Sequence, residues 1–312
     1  MTKQASLPAS STFEAFLESG IDRCAFISAW LRAKDIPHSI VELSQKRHIV
    51  VRFDSSAYDP FFRMKTLVAH YDRVADSVGA NDNSAACFQL MLFAEQLSRG
   101  KPASSLVHNI RIFFTDGEEA AGTYGIAGQG SFALGSGMRK LRITEDDVYV
   151  FDACGRGDTL ILSTAGLTSA TTRGIPPRPP RFTARIESLH ERSCALAREA
   201  APENWVRLPT PYSDNAGFIA SGIAAQVFTV LPHEEAGKLL FALGGNEVPP
   251  EKIIAAIEEN RTLPDESPLK PIIPETWRFM HTKADTGATL NASAFSLMAK
   301  LLDTIKRRMD RS

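Results

Sequence analysis

Three apolar runs in this chain each end on a side chain that can hold a proton or a metal, and that recurrence narrows the folds open to it. Thr66-Leu67-Val68-Ala69 leads into His70-Tyr71-Asp72. Ile110 to Thr115 leads into Asp116-Gly117-Glu118-Glu119, and Val148-Tyr149-Val150-Phe151 into Asp152. Runs of this length and content read as strands buried on both faces, the habit of parallel sheets covered by helices. In open α/β sheets ligands collect beyond the carboxyl ends of the strands. Acids leaving a buried strand need a partner there, and a metal cation is a good one.

Between the first two runs lies Gly79-Ala80-Asn81-Asp82-Asn83-Ser84, followed by a buried-type helix from Asn83 to Gln96 with Phe88, Leu90, Met91, Leu92 and Phe93. Asp82 stands at the start of that helix, where free backbone N–H groups favour a carboxylate, so a helix cap is its ordinary explanation. Beside His70 and Glu118-Glu119 the metal reading is the better one. Imidazole with several carboxylates suits a zinc-type divalent ion. His281, in His281-Thr282-Lys283-Ala284-Asp285-Thr286, completes the set with a second imidazole.

Elsewhere the chain alternates strands and helices, which predicts a three-layer α/β/α sandwich around a mixed, mostly parallel sheet. Phe13 to Ala33 carries Phe16, Leu17, Ile21, Phe26, Ile27, Trp30 and Leu31 at the spacing of one amphipathic helix. Ser39–Leu43 and His48–Phe53, separated by residues 44–47, read as a hairpin in which His48 packs as a core residue. Residues 174–181, rich in proline, read as an extended linker. Phe182–Ala200 and Thr289–Arg308 read as helices and Ile223–Leu231 as a buried strand. His233-Glu234-Glu235 opens a helix but has no second His four residues on, so it is not an HExxH zinc helix. No repeat is visible, and residues 1–312 are expected to form one catalytic domain, with the polar stretch 1–12 a disordered leader.

A net charge of −1 gives no reason to expect nucleic acid or an anionic membrane as partner. The polar start lacks a signal-peptide pattern and no apolar run is long enough to span a bilayer, so a cytoplasmic protein is expected. Cys24, Cys87, Cys154 and Cys194 form no CxxC pair and read as reduced packing residues, Cys154 included despite its closeness to Asp152.

The ordered set His70-Tyr71-Asp72, Gly79-Ala80-Asn81-Asp82-Asn83, Asp116-Gly117-Glu118-Glu119, Asp152, Ser213-Asp214, Gly222-Ile223-Ala224 and His281-Thr282 resembles the co-catalytic zinc aminopeptidase family. That family includes bacterial leucyl aminopeptidases, glutamate carboxypeptidases and glutaminyl cyclases, on a phosphorylase/hydrolase-like fold. The resemblance implies two zinc ions, with Asp82 bridging both, His70 and Asp152 on one, and Glu119 and His281 on the other. It further implies Glu118 as general base and Asp72 as the carboxylate orienting His70. The substrate would be a small peptide or aminoacyl compound. Two departures stand out: the run from Glu119 to Gly130-Ser131 is long, as in glutaminyl cyclase relatives, and Asn215 follows Ser213-Asp214 where the family usually has His.

An exopeptidase, most simply an aminopeptidase, is the leading reading. A glutaminyl cyclase-like acyltransferase with one zinc is the alternative within enzymes, and a non-catalytic binding domain on the same fold the alternative outside them. A serine hydrolase is disfavoured, because Gly128-Gln129-Gly130-Ser131 is not GxSxG.

Overall fold

All six residues of β3 (Lys65–His70) are buried, because the strand is covered on both faces. Leu67 and Ala69 join one apolar cluster, while Val68 joins another with Leu134, Met138 and Phe218. The two-residue period of a strand thus separates two helical layers. In this computed structural model the described residues are 11–99, 107–120, 125–167, 178–258, 263–264 and 266–311. Among them β3 belongs to an eight-stranded sheet with β1 (His38–Leu43), β2 (Lys46–Val51), β4 (Ile110–Thr115), β5 (Asp147–Phe151), β6 (Thr159–Ser163), β7 (Trp205–Leu208) and β8 (Ala225–Leu231). The order is β1-β2-β4-β3-β5-β8-β6-β7. β4, β3, β5 and β8 run parallel, and antiparallel pairs join β2 to β4 and β6 to β8. The mixed, mostly parallel three-layer sandwich read from the sequence is what forms.

One layer holds α1 (Ser11–Leu17), α2 (Arg23–Ala33), α3 (Ala85–Ser98), α5 (Pro180–Ala200) and α10 (Ala292–Arg307). The other holds α4 (Gly130–Lys140) and α6 (Asp214–Ala220), with α7 (His233–Gly244), α8 (Pro250–Glu258) and α9 (Glu275–Phe279) around a third cluster. Phe114, Phe151 and Phe228 are fully buried in the strands, and each contributes roughly 1.5–3 kcal/mol relative to exposure. No helix among the described residues is long and apolar enough to cross a membrane.

The chain leaves β3, passes through α3 to β4 on one side, then through α4 to β5 on the other. β3 is therefore the point where the strand order reverses, and the crevice above such a point is where open sheets bind ligands.

Several local expectations need correction. The helix read over Phe13–Ala33 is two: Gly20 takes a left-handed φ of +80°, and Asp22 caps α2 by accepting a hydrogen bond from the Ala25 N–H at 3.0 Å. The apolar period runs through the break because Phe16 and Ile27 enter the same core. In the hairpin only Ser44 and Gln45 turn, both at positive φ, so Lys46 and Arg47 already pair with Leu43 and Glu42. α5 begins at Pro180, since a proline at the first helical position gives up no hydrogen bond. Of the linker, residues 174–177 lie outside the described residues. So do residues 1–10 of the leader, whose last two members, Ser11 and Thr12, are already in α1. The strand β7 and the helices α4, α8 and α9 went unread.

Candidate metal centre

His70 closes β3 with its side chain wholly buried. Its Nε2 lies 3.3 Å from Asp82 Oδ1 and 3.8 Å from Asp152 Oδ2, while Nδ1 lies 3.5 Å from Asp72 Oδ1. Asp152 follows the last residue of β5 directly. Asp82 sits in a single π-type turn, Ala80–Ser84, where it and Asn83 leave helical geometry and the peptide between them is cis. The cap explanation fails for Asp82: no backbone N–H of the described residues bonds to its carboxylate, which points at the imidazoles instead. Its second oxygen, Oδ2, lies 3.2 Å from His281 Nε2, and that nitrogen lies 3.1 Å from Glu119 Oε2. The two oxygens of one carboxylate thus face two different imidazoles.

The ligand-type atoms fall into overlapping groups within 4.8 Å: His70 with Asp82 and Asp152, Asp82 with Glu119 and His281, and His70 with Glu118 and Glu119. All seven residues read from the sequence meet here, Asp72 and Glu118 at the margin of the group.

The loops bearing these residues are tied through their backbones. Asp72 accepts hydrogen bonds from the N–H groups of Glu118 (3.2 Å) and Glu119 (3.1 Å), so the carboxylate beside His70 also fixes the next turn. Asp285 does the same for the Asp82 turn, accepting from Asn81 N (2.8 Å) and Asp82 N (3.0 Å). Gly79 supports this turn with a φ of +62°; a Cβ there would stand 2.6 Å from the Asp82 carbonyl oxygen. Asn83 donates to the Phe151 carbonyl at 2.8 Å, and Asn81 accepts from Gly155 N at 2.7 Å, joining the turn to the end of β5. Gln129 donates to Glu118 Oε1 at 2.9 Å. Sequence reasoning missed Asp285 and Gln129. Asp285 had a usable signal, an acid four residues beyond His281 in the same loop; Gln129 had none.

The electrostatics follow from crowding. Burial opposes a charge on His70, but hydrogen bonding to Asp152, Asp72 and Asp82 outweighs it and carries its pKa well above the usual value. For His281 the same contest, with Asp82 and Glu119 as partners, ends at about 11. Burial raises Glu118 well above the usual carboxylate range, and raises Glu119, next to Asp82, to about 7. Asp82 is held below the usual range by both imidazoles despite its burial.

Such a group asks for a cation. His70 Nε2, Asp82 Oδ2, Asp152 Oδ1 and Glu119 Oε1 are buried without a well-aligned hydrogen-bond partner. Ligand atoms about 2 Å from a tetrahedral zinc stand about 3.3 Å from one another. The imidazole–carboxylate separations here run from 3.1 to 3.8 Å, and all the atoms of each group lie within 4.8 Å, so the residues present fit a divalent ion on either side of Asp82.

Asp214 lies fully buried at the start of α6, accepting a hydrogen bond from the Thr115 hydroxyl, and burial pushes its pKa up to about 6. A raised carboxyl favours folding while protonated: the contribution is complete below the unfolded value of 3.8 and is lost as pH rises through about 6. In chelator-treated protein, Asp214→Asn should therefore gain stability over the parent as pH rises from 4 to 8, approaching about 3 kcal/mol. Urea unfolding at both pH values measures this; a constant difference would show that Asp214 ionises as readily folded as unfolded.

Asn215 turns back onto the Ser213 N–H at 2.9 Å. His48 is buried and accepts from Asp116 N at 3.3 Å, with burial lowering its pKa to about 4, as suits a packing residue. Cys154 donates to the carbonyls of Asp152 and Phe228, both at 3.4 Å, and all four cysteines are free thiols.

Comparisons with known proteins bear on the fold and the family. No curated protein sequence matches the chain. Among solved structures, the LapA aminopeptidase of Legionella pneumophila superposes with a TM-score of 0.59 at 16% identity, covering 95% of this chain and 68% of LapA. A Zn-dependent exopeptidase from Parabacteroides distasonis gives 0.57 at 15% identity over 98% of this chain and 100% of the other. A glutaminyl cyclase from Fimbriiglobus ruber gives 0.53 at 14%, over 95% and 93%. At these identities the likeness speaks for the fold. The sequence itself matches the model of peptidase family M28 over residues 49–306. That stretch contains every residue of the cluster around Asp82, and the chain belongs to peptidase family M28.

Proposed function

We propose that this chain is a zinc-dependent exopeptidase, an aminopeptidase acting on small peptides, with the whole chain serving as one catalytic domain. The observation that carries the reading is Asp82, whose two oxygens face His70 and His281 separately. In this assignment His70 and Asp152 would hold one ion and Glu119 and His281 the other, with Asp82 available to both. Asp72 orients His70, as metal-bound imidazoles require.

When bound, the pair of ions supplies the Lewis acidity that brings a water towards neutral pKa and polarises the scissile carbonyl. The rest falls to the chain. Glu118 takes the proton of the attacking water and returns it to the leaving amine. Gln129 donates to one oxygen of the Glu118 carboxylate and so fixes its orientation. Because Asp72 anchors the Glu118 and Glu119 backbones together, base and ligand stay in register through the cycle.

The test is activity on an aminoacyl amide with and without a chelator, followed by addition of zinc or cobalt. Loss on chelation and return with metal are expected. Activity indifferent to the chelator sinks the reading, and cyclisation of an N-terminal glutamine peptide without amide hydrolysis would assign the site to acyl transfer.

A further inference from the structure

Arg23 opens α2, in the segment before residue 49 where the family match begins, yet only 6% of it is exposed. Its Nη1 donates to the Tyr71 carbonyl oxygen at 2.7 Å, and its Nη2 donates to Ser84 Oγ. The Ser84 hydroxyl passes the tie on to the carbonyl of Gly79, the residue that starts the Asp82 turn. The guanidinium lies 4.2 Å over the Phe16 ring, and among the described residues it forms no ion pair. A buried guanidinium without a carboxylate is costly. Merely capping one carbonyl would not need one; a planar fork is suited to holding two acceptors at a fixed separation. Those acceptors are telling: Tyr71 lies between His70 and Asp72, and Ser84 is two residues beyond Asp82.

We propose that Arg23 is a positioning residue that sets the spacing between His70 and Asp82 from beneath, so that metal affinity depends on a helix preceding the family match. The inference rests on the metal reading above. Two effects of Arg23 on a bound cation have opposite signs. As a charge it repels the ion, through the same field in which it attracts Asp72 and Asp82. As a clamp it holds ligands at the distance the ion needs, and partners one step removed from the ligands are generally worth about tenfold to a hundredfold in affinity.

The experiment measures zinc dissociation constants of metal-free protein by competition with a chromophoric chelator, together with the cobalt absorption spectrum and the melting of the metal-free protein. Arg23→Met, which removes the charge but keeps volume over Phe16, should weaken zinc by about tenfold to a hundredfold and alter the cobalt spectrum. Arg23→Lys, able to reach one acceptor only, should fall between. Ser84→Ala keeps the charge and cuts one arm, and should also weaken binding. Unchanged or tighter zinc in a folded Arg23→Met protein overturns the inference. Should that variant fail to fold, unchanged affinity in Ser84→Ala overturns it instead. A parent protein that binds no zinc would bring down the metal reading itself.

Discussion

Glu118→Gln should keep its full metal content and lose about a hundredfold to ten-thousandfold in kcat, the range that a positioned general base supplies. The amide is the same shape as the carboxylate, and its oxygen can still accept from Gln129, 2.9 Å away in the parent. What it cannot do is take a proton. KM should change little, since the substrate meets an unaltered pocket. Elemental analysis beside steady-state rates on an aminoacyl amide reads both quantities. Glu118 stands near enough to His70 and Glu119 to be a ligand itself, so a parallel fall of metal and rate would assign it to the metal. Full activity in the variant would remove it from the chemistry altogether.

Under the proposed two-ion assignment, Asp82→Ala should release both ions and with them all measurable turnover. Glu119 comes within 4.8 Å of His70 as well as pairing with His281, but among the described residues Asp82 alone lies within ion-pair distance of both imidazoles, Asp152 pairing with His70. Without Asp82 each side keeps two first ligands where a stable zinc site has three or four. Asp82→Asn makes a sharper contrast. It retains one accepting oxygen and nearly the same volume, so it should hold one ion at most, and with reduced affinity. Dialysis against a defined zinc buffer and metal counting separate the outcomes. Two ions retained in Asp82→Ala would end the bridging assignment.

The parts of this site that strands deliver could be read in the sequence because burial on both faces leaves an unbroken apolar run, and whatever polar group ends the run stands out. His70, Asp152 and Glu118-Glu119 were legible for that reason. Asp82 was legible only in company, since a lone aspartate before a helix reads as a cap. Its turn departs from helical geometry, which no periodicity announces. Asp285 was missed because its work is to accept two backbone N–H groups, and such a partner leaves no mark in a side-chain pattern. Arg23 looks like any arginine on an amphipathic helix; only the packing of α2 over the Tyr71 and Ser84 loops reveals it as buried. The broken helix at residues 18–22 was hidden because both halves feed one core, while the cap at Asp22 is a local choice that apolar spacing does not record.

The unequal seclusion of the two imidazoles carries a consequence for how such a protein would empty. His70 is sealed from solvent, while the His281 side chain is 36% open to it. Under the proposed assignment, a scavenger arriving from outside would meet the His281 imidazole before the sealed His70, so the ion held by His281 and Glu119 would be the first to leave. Depletion would then be a staircase with a half-loaded landing.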